Sequence, residues 1–223
     1  MKGAMIVFDG NNGAGKTTQL RMLRDLLESR GFEVLATREP GGTPIAEDIR
    51  SLLLSCDDRS DPMTTATEAL LFFAARAQHV GTVIQPALEQ GKVVLCDRFT
   101  SSTIAFQCFA QNFPLGRMRQ IEAAALGDFA PDRTFIFDVD VEEGLRRAGQ
   151  VGDEDRIESI GIHRLKKARE GFLWQAQQDE RFRVIDASVS PENVFKAVRS
   201  ALPRQLSFPR TSGIEGYSNS VSV

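Results

Sequence analysis

Residues 10–17 read Gly-Asn-Asn-Gly-Ala-Gly-Lys-Thr, and the spacing G-x-x-x-x-G-K-[ST] leaves such a chain few folds to choose from. The backbone must curl until successive N–H groups face inward, a conformation that glycine at both ends permits. The apolar run Ala-Met-Ile-Val-Phe at 4–8 has the make-up of a buried strand, and Leu20, Leu23 and Leu27 follow the motif at helical spacing. Strand, loop and helix in this order open a βαβ unit, and with it a parallel sheet covered on both faces. Gly10, Asn11, Asn12, Gly13, Ala14 and Gly15 would wrap the phosphates of a nucleoside triphosphate. Lys16 would reach the β- and γ-phosphates and Thr17 would offer its hydroxyl to Mg²⁺. Thr18 lies in the first turn of a helix whose positive end favours anions. A glycine-rich turn without a ligand is the alternative reading, and the strand and helix flanks argue against it.

The rest of the chain repeats the alternation. Strands are expected at Ala4–Asp9, 33–37, Val93–Asp97, 134–138 and Phe182–Asp186. Helices are expected at 16–29, 44–55, 65–90, 117–127, Val141–Ala148, 158–178 and 191–202. This predicts one α/β domain over 1–205, with a five-stranded parallel sheet between two helical layers. The Ser-, Gly- and Asn-containing stretch 206–223 has little to bury and reads as a flexible tail. A net charge of −3 offers no general attraction to nucleic acid. Cys56, Cys96 and Cys108 lack metal-type spacing and read as reduced thiols. With no basic, apolar leader and no run long enough to span a membrane, the expected location is the cytoplasm. His79 and His163 read as ordinary helix residues.

Ligands of a parallel α/β sheet sit beyond the carboxyl ends of its strands. Arg38, Asp97 and Arg98 close two of the predicted strands and should therefore converge beside the phosphate loop. Two arginines there call for an anion, and an acceptor that already carries a phosphate supplies one. Asp97 is placed as a second oxygen ligand for Mg²⁺ beside Thr17; a structural Asp–Arg salt bridge is the alternative. In the predicted helix 65–90, Phe72 and Arg76 share a face, so one could stack on a base while the other bonds its edge. Spacing alone would instead place Phe72 in the core, where Phe73 is expected.

Together these segments resemble the thymidylate kinase family. The resemblance spans about residues 6–202 and rests on Phe8-Asp9-Gly10 leading into the loop, Thr37-Arg38-Glu39-Pro40-Gly41-Gly42-Thr43, Leu71-Phe72 through His79, Asp97-Arg98-Phe99 and Ala105-Phe106-Gln107. It implies the three-layer P-loop kinase fold with a short lid at about 149–156, ATP as co-substrate, Mg²⁺ dependence, dTMP as acceptor and a homodimer. It assigns Arg38 and Arg98 to the acceptor phosphate, Phe72 to stacking on thymine, Arg76 to the O4 side, and Thr103 and Gln107 to the base pocket. Asp9, Glu39, Pro40, Ser102 and Phe106 complete the implied substrate site.

Some positions depart from the family pattern. Asn12 stands where a carboxylate is usual, Phe106 where tyrosine is frequent, and Cys108-Phe109 where the turn is often richer in glycine. Gly13-Ala14 places the chain with members whose lid arginines, rather than a loop arginine, stabilise the transferring phosphoryl group. The nearby arginines are Arg146, Arg147 and Arg156, of which Arg147 and then Arg156 are favoured. A plain helix end, where arginine complements the dipole, is their alternative. Lys16, Arg98 and a lid arginine would then carry catalysis by positioning and charge neutralisation, without a general base. Competing readings are a GTPase, which lacks support in the absence of an Asn-Lys-x-Asp segment, a protein that holds ATP without transfer, and a kinase of the same fold for another pyrimidine deoxynucleotide.

Overall fold

A computed structural model describes residues 3–55, 61–149 and 161–206. Strands β1 (Ala4–Asp9), β2 (Val34–Arg38), β3 (Val93–Asp97), β4 (Arg133–Asp138) and β5 (Phe182–Asp186) form a single parallel sheet in the order β2-β3-β1-β4-β5. The predicted strands are all present, with ends displaced by at most a residue.

The inner strands are apolar throughout because both of their faces are covered. Ala4, Ile6 and Phe8 of β1 pack with Val93 and Leu95 of β3 and Phe135 and Phe137 of β4 on one face. That face is closed by Leu20, Leu23 and Leu27 of helix α1 (Lys16–Glu28) and, from the C-terminal part of the chain, Val194 and Val198. Met5, Val7, Val94 and Cys96 face the other way, onto Val80, Ile84 and Ala87. A one-residue slip in register would exchange these faces, so the alternation pins the pairing.

Helix α2 (Pro44–Leu54) starts behind Thr43, whose hydroxyl accepts from the Ala46 N–H at 3.1 Å. Helix α3 (Thr65–His79) is capped in the same way by Thr64. The predicted helix 65–90 is interrupted: α3 gives way to a π-helical segment, Val80–Ile84, before α4 (Gln85–Glu89). Pro86 has no N–H to donate to the preceding turn, and a wider turn ahead of it absorbs that loss. A second departure lies after β3, where α5 (Thr100–Thr103) runs into a π-helical segment, Ile104–Ala110. No helix was expected there, because this stretch is buried on nearly every side and lacks an amphipathic stripe. Helix α6 (Leu115–Leu126) begins two residues earlier than expected, directly after Pro114.

The chain continues through α7 (Val141–Ala148), α8 (Ile162–Gln178) and α9 (Pro191–Ser200). Helix α8 lies along the buried π-helical segment and packs Leu165, Ala168 and Phe172 around Phe106 and Ile136. A 3-10 turn, Arg204–Leu206, returns the chain to the sheet, and Leu206 is buried in the same cluster as Leu202. Residue 206 is therefore packed, whereas the rest of the expected tail, the lid after Gly149 and Cys56 lie outside the described residues.

Candidate active site

The carboxyl ends of β1, β2 and β3 form the floor of two adjoining clefts. The larger, about 1700 Å³ including its open mouth, is lined by residues 12–19, Asp97, Arg147 and residues at the start of α9. Gly10, Gly13 and Gly15 have φ of 132°, 72° and 80°, the region open to glycine. Gly15 precedes α1 without a side-chain cap, so the first turn of the helix presents its N–H groups to the cleft. The loop is backed by α7. An ideal Cβ on Gly13 would lie 1.8 Å from the Gly144 carbonyl oxygen, and one on Gly144 would lie 2.8 Å from that of Asn12. The two glycines let loop and helix meet backbone to backbone.

Lys16 is buried with its ammonium on the Asn11 carbonyl at 2.9 Å. The Thr17 hydroxyl donates to Asp97 Oδ2 at 2.9 Å on the cleft floor. One hydroxyl and one carboxylate form an oxygen-only donor pair, which suits a Mg²⁺ that takes its other ligands from phosphates and water. Among the described residues no cluster of three or more His, Cys, Asp or Glu side chains could hold a metal alone. The neighbouring Cys96 thiol is held protonated by burial first and then by the Glu39 and Asp97 carboxylates.

The smaller cleft, about 680 Å³, lies between α2, α3 and the π-helical segment after β3; Asn12, Glu39, Arg50 and Arg98 belong to the walls of both. Arg98 therefore stands between donor and acceptor. Its backbone is left-handed, with φ of 70°, a conformation that costs a non-glycine residue about 1–3 kcal/mol and persists where the surroundings enforce it. Here they do so from several sides. Its N–H donates to the Phe8 carbonyl at 2.9 Å, and its guanidinium donates to the Gly10 carbonyl at 3.1 Å, to Ser102 Oγ at 3.0 Å and to Asn12 Oδ1. The amide of Asn12 thus binds the arginine as a neutral acceptor. Asp9, expected among the substrate contacts, lies beneath this arrangement. It is fully buried, lines neither cleft, and accepts from Ser101 and Ser102 at 2.6 Å each and from the Gly10 N–H at 2.9 Å.

Phe72 is half-buried in the wall of the smaller cleft, whereas Phe73 turns into the core with Ala69, Ile104 and Met118. Arg76 is 2 % exposed; its Nε donates to Glu39 Oε2 at 2.6 Å and its Nη2 to Thr103 Oγ1 at 3.2 Å. Phe73 and Phe99 lie against its guanidinium, 4.8 and 5.1 Å from ring centre to Cζ. Two residues of this cleft's wall each carry a buried polar atom without a partner, Arg76 Nη1 and Gln107 Oε1. Orphaned buried polar atoms are rare, and in an open cleft they point to a ligand. Pro40, Ser102, Thr103 and Phe106 also line this cleft, as expected.

Several residues of the site were not singled out from the sequence. His79 is not an ordinary helix residue: it is fully buried, with its ring between Thr37 Oγ1 at 2.9 Å and Glu39 Oε1 at 3.2 Å. Glu39 therefore holds both Arg76 and His79. Arg50 reaches the Pro40 carbonyl at 2.9 Å from α2, and Glu68 enters the acceptor cleft from the first turn of α3. The sole signal for Arg50, Glu68 and His79 was a helical position that equally suits solvent or a dipole.

Two expected phosphate arginines sit at the periphery. Arg38 is about half exposed, lines only the larger cleft and pairs with Glu47 at 3.0 Å. Arg147 lines the larger cleft but donates to Glu143 at 2.7 Å and to the Ala187 carbonyl at 2.8 Å. Hydrogen bonds from Arg146 and then Arg147 pull the Glu143 carboxyl down to about 2. Arg156 lies outside the described residues.

A phosphate loop between the central strand and its helix, an oxygen pair suited to Mg²⁺, and a separate acceptor cleft joined to it by arginines define a P-loop phosphotransferase. The family model described as thymidylate kinase matches residues 8–198. A thymidylate kinase of Pseudomonas fluorescens is 45% identical over 207 residues, covering 92% of this chain and 98% of the relative. One from Exiguobacterium sibiricum is 43% identical over 195 residues, 87% of this chain and 91% of the relative. The crystal structure of thymidylate kinase from Ehrlichia chaffeensis superposes with a TM-score of 0.69 at 34% identity, covering 89% of this chain and 97% of that one. The chain belongs to the thymidylate kinase family.

Proposed function

We propose that this chain transfers the γ-phosphoryl group of ATP to dTMP, giving dTDP and ADP. The observation that carries the reading is the pair of unanswered groups in the acceptor cleft, a buried N–H of Arg76 and a buried carbonyl oxygen of Gln107. Thymine carries their complements side by side, an O4 acceptor and an N3–H donor. Phe72 supplies the stacking surface, and Phe106 packs beside the sugar. Arg98 and Arg50, which line both clefts, hold the acceptor phosphate, and Arg38 joins them on leaving Glu47.

The acceptor phosphate oxygen is already a nucleophile, so no base is needed. The loop N–H groups and Lys16 hold the β- and γ-phosphates, and Arg98 offsets the repulsion between two anions brought into line. Thr17 and Asp97 would hold Mg²⁺, which supplies neutralisation of phosphate charge. Arg147, which lines the larger cleft from α7, would complete the set on leaving Glu143, with Arg156 the alternative expected from the sequence. We further infer a homodimer formed across α2 and α3, which pack together and expose Ile45, Leu52 and Leu70. No described helix is long and apolar enough to cross a membrane, and the cytoplasm is the proposed location.

The test is ADP release from ATP and Mg²⁺ with dTMP, dUMP, dCMP and thymidine offered separately, and Lys16→Ala as the blank. Turnover led by dTMP is expected. Preference for dCMP, or for unphosphorylated thymidine, overturns the reading.

A further inference from the structure

The amide of Gln107 could face the acceptor cleft with either end, and the two choices have opposite consequences. Oxygen inward, it accepts from the N3–H of thymine. Nitrogen inward, it donates to the bare N3 of cytosine. The side chain itself has no preference, so something outside it must decide.

Glu68 is the group in contact with the other end. It is 4 % exposed, in the first turn of α3, and its Oε2 lies 3.1 Å from Gln107 Nε2 and 2.9 Å from Gln111 Nε2. A carboxylate only accepts, so the end of each amide that meets it must be the NH2. On its far side the Gln111 Oε1 accepts from Thr65 Oγ1 at 2.9 Å, a hydroxyl that suits this orientation without enforcing it. With the Gln107 nitrogen engaged, its oxygen is left buried and without a partner, on a side chain that lines the cleft. Turning the amide over would set oxygen against carboxylate, an electrostatic cost with no compensating bond.

We propose that Glu68 is a specificity-determining positioning residue, which makes the cleft present a hydrogen-bond acceptor and so selects pyrimidines that carry an N3–H. The inference rests on the reading of this cleft as the dTMP site. Glu68 also belongs to the cleft wall, and the role proposed for it runs through the Gln107 amide that it orients.

The experiment measures kcat/KM for dTMP, dUMP and dCMP in the wild type, Glu68→Leu and Glu68→Gln, with Tm as the check on folding. Glu68→Leu frees the amide to rotate, and the dTMP/dCMP ratio is expected to fall about 10-fold or more, in line with the discrimination one oriented hydrogen bond supplies. The dTMP/dUMP ratio should not move, since both bases carry N3–H and O4. Glu68→Gln puts an amide that can donate as well as accept against Gln107, so one orientation is no longer enforced, and its dTMP/dCMP ratio should fall between those of the wild type and Glu68→Leu. A merely structural role would lower all three substrates together in both variants. An unchanged dTMP/dCMP ratio in Glu68→Leu overturns the inference and leaves the kinase reading standing. A wild type that prefers dCMP overturns both.

Discussion

Replacing Gly144 by alanine should separate the support of the phosphate loop from the stability of the fold. The residue lies inside α7, where alanine favours the helix by about 0.5–1 kcal/mol. Its new Cβ would lie 2.8 Å from the Asn12 carbonyl oxygen, with Val139 Cγ1 at 3.5 Å on another side. Carbon and carbonyl oxygen settle at about 3.3–3.6 Å, so loop and helix must part by roughly half an ångström. Overpacking of this kind costs about 1–3 kcal/mol, which the helix gain partly offsets. The net loss of about 0–2 kcal/mol corresponds to a fall in Tm of up to roughly 8 °C for a chain of this size. Catalysis should suffer more. A misplacement of 1 Å can cost about 100-fold, so half of that displacement at the loop predicts roughly a 10-fold fall in kcat/KM for ATP, with KM for dTMP little changed. Steady-state ADP release at varied ATP, beside a thermal melt, gives both numbers. An unaltered kcat/KM for ATP would show that α7 yields instead of the loop, and would refute the claim that this helix sets the loop's position.

Lys16→Ala should lower kcat by about 10²–10³-fold while leaving dTMP binding intact by calorimetry. Arg98→Ala should weaken both, and unchanged kinetics in either variant would remove it from the transfer step. Arg76→Met leaves the Glu39 carboxylate buried without its arginine, so unfolding free energy by urea titration should drop by about 3–5 kcal/mol; a loss below 1 kcal/mol would show that His79 alone suffices. Burial pushes the Cys108 thiol up to about 11, against an ordinary value near 9. Since the thiolate is the reactive form, Cys108 should resist alkylation at pH 8 in the folded protein and react faster as pH rises toward 11. Prompt labelling at pH 8 without unfolding would contradict its burial.

The parts of the site legible in the sequence were those whose neighbours along the chain define them. Gly10 to Thr17 carry their own geometry, and Asp97 and Arg98 were placed by the rule that strand ends meet beyond a parallel sheet. Phe72 and Phe73 show where local pattern stops: adjacent phenylalanines of one helix go to the cleft and to the core, and spacing alone favours the core for both. The helical stretch from Thr100 to Ala110 left no signal, because burial on nearly all sides erases the periodicity by which helices are recognised. Glu68, Arg50 and His79 were missed for a different reason. Glu68 and His79 owe their roles to residues about 40 positions away, Gln107 and Glu39, and Arg50 to the turn of the chain at Pro40, all of which only the folded backbone brings together. Asp9 shows the converse: it belongs to the motif, yet folding turns it inward to organise Arg98 and two serines.

The place of β1 in the middle of the sheet determines how this protein can fail. Each side of the strand is hydrogen-bonded to a neighbour, and Ala4 to Asp9 are all buried. Amides in such a position exchange with solvent only when the whole molecule opens, so the strand has no partial unfolding of its own. The phosphate loop grows directly from its end. Loss of the ATP site by melting of that strand therefore coincides with global unfolding, and heat should remove activity in step with the folded fraction rather than ahead of it.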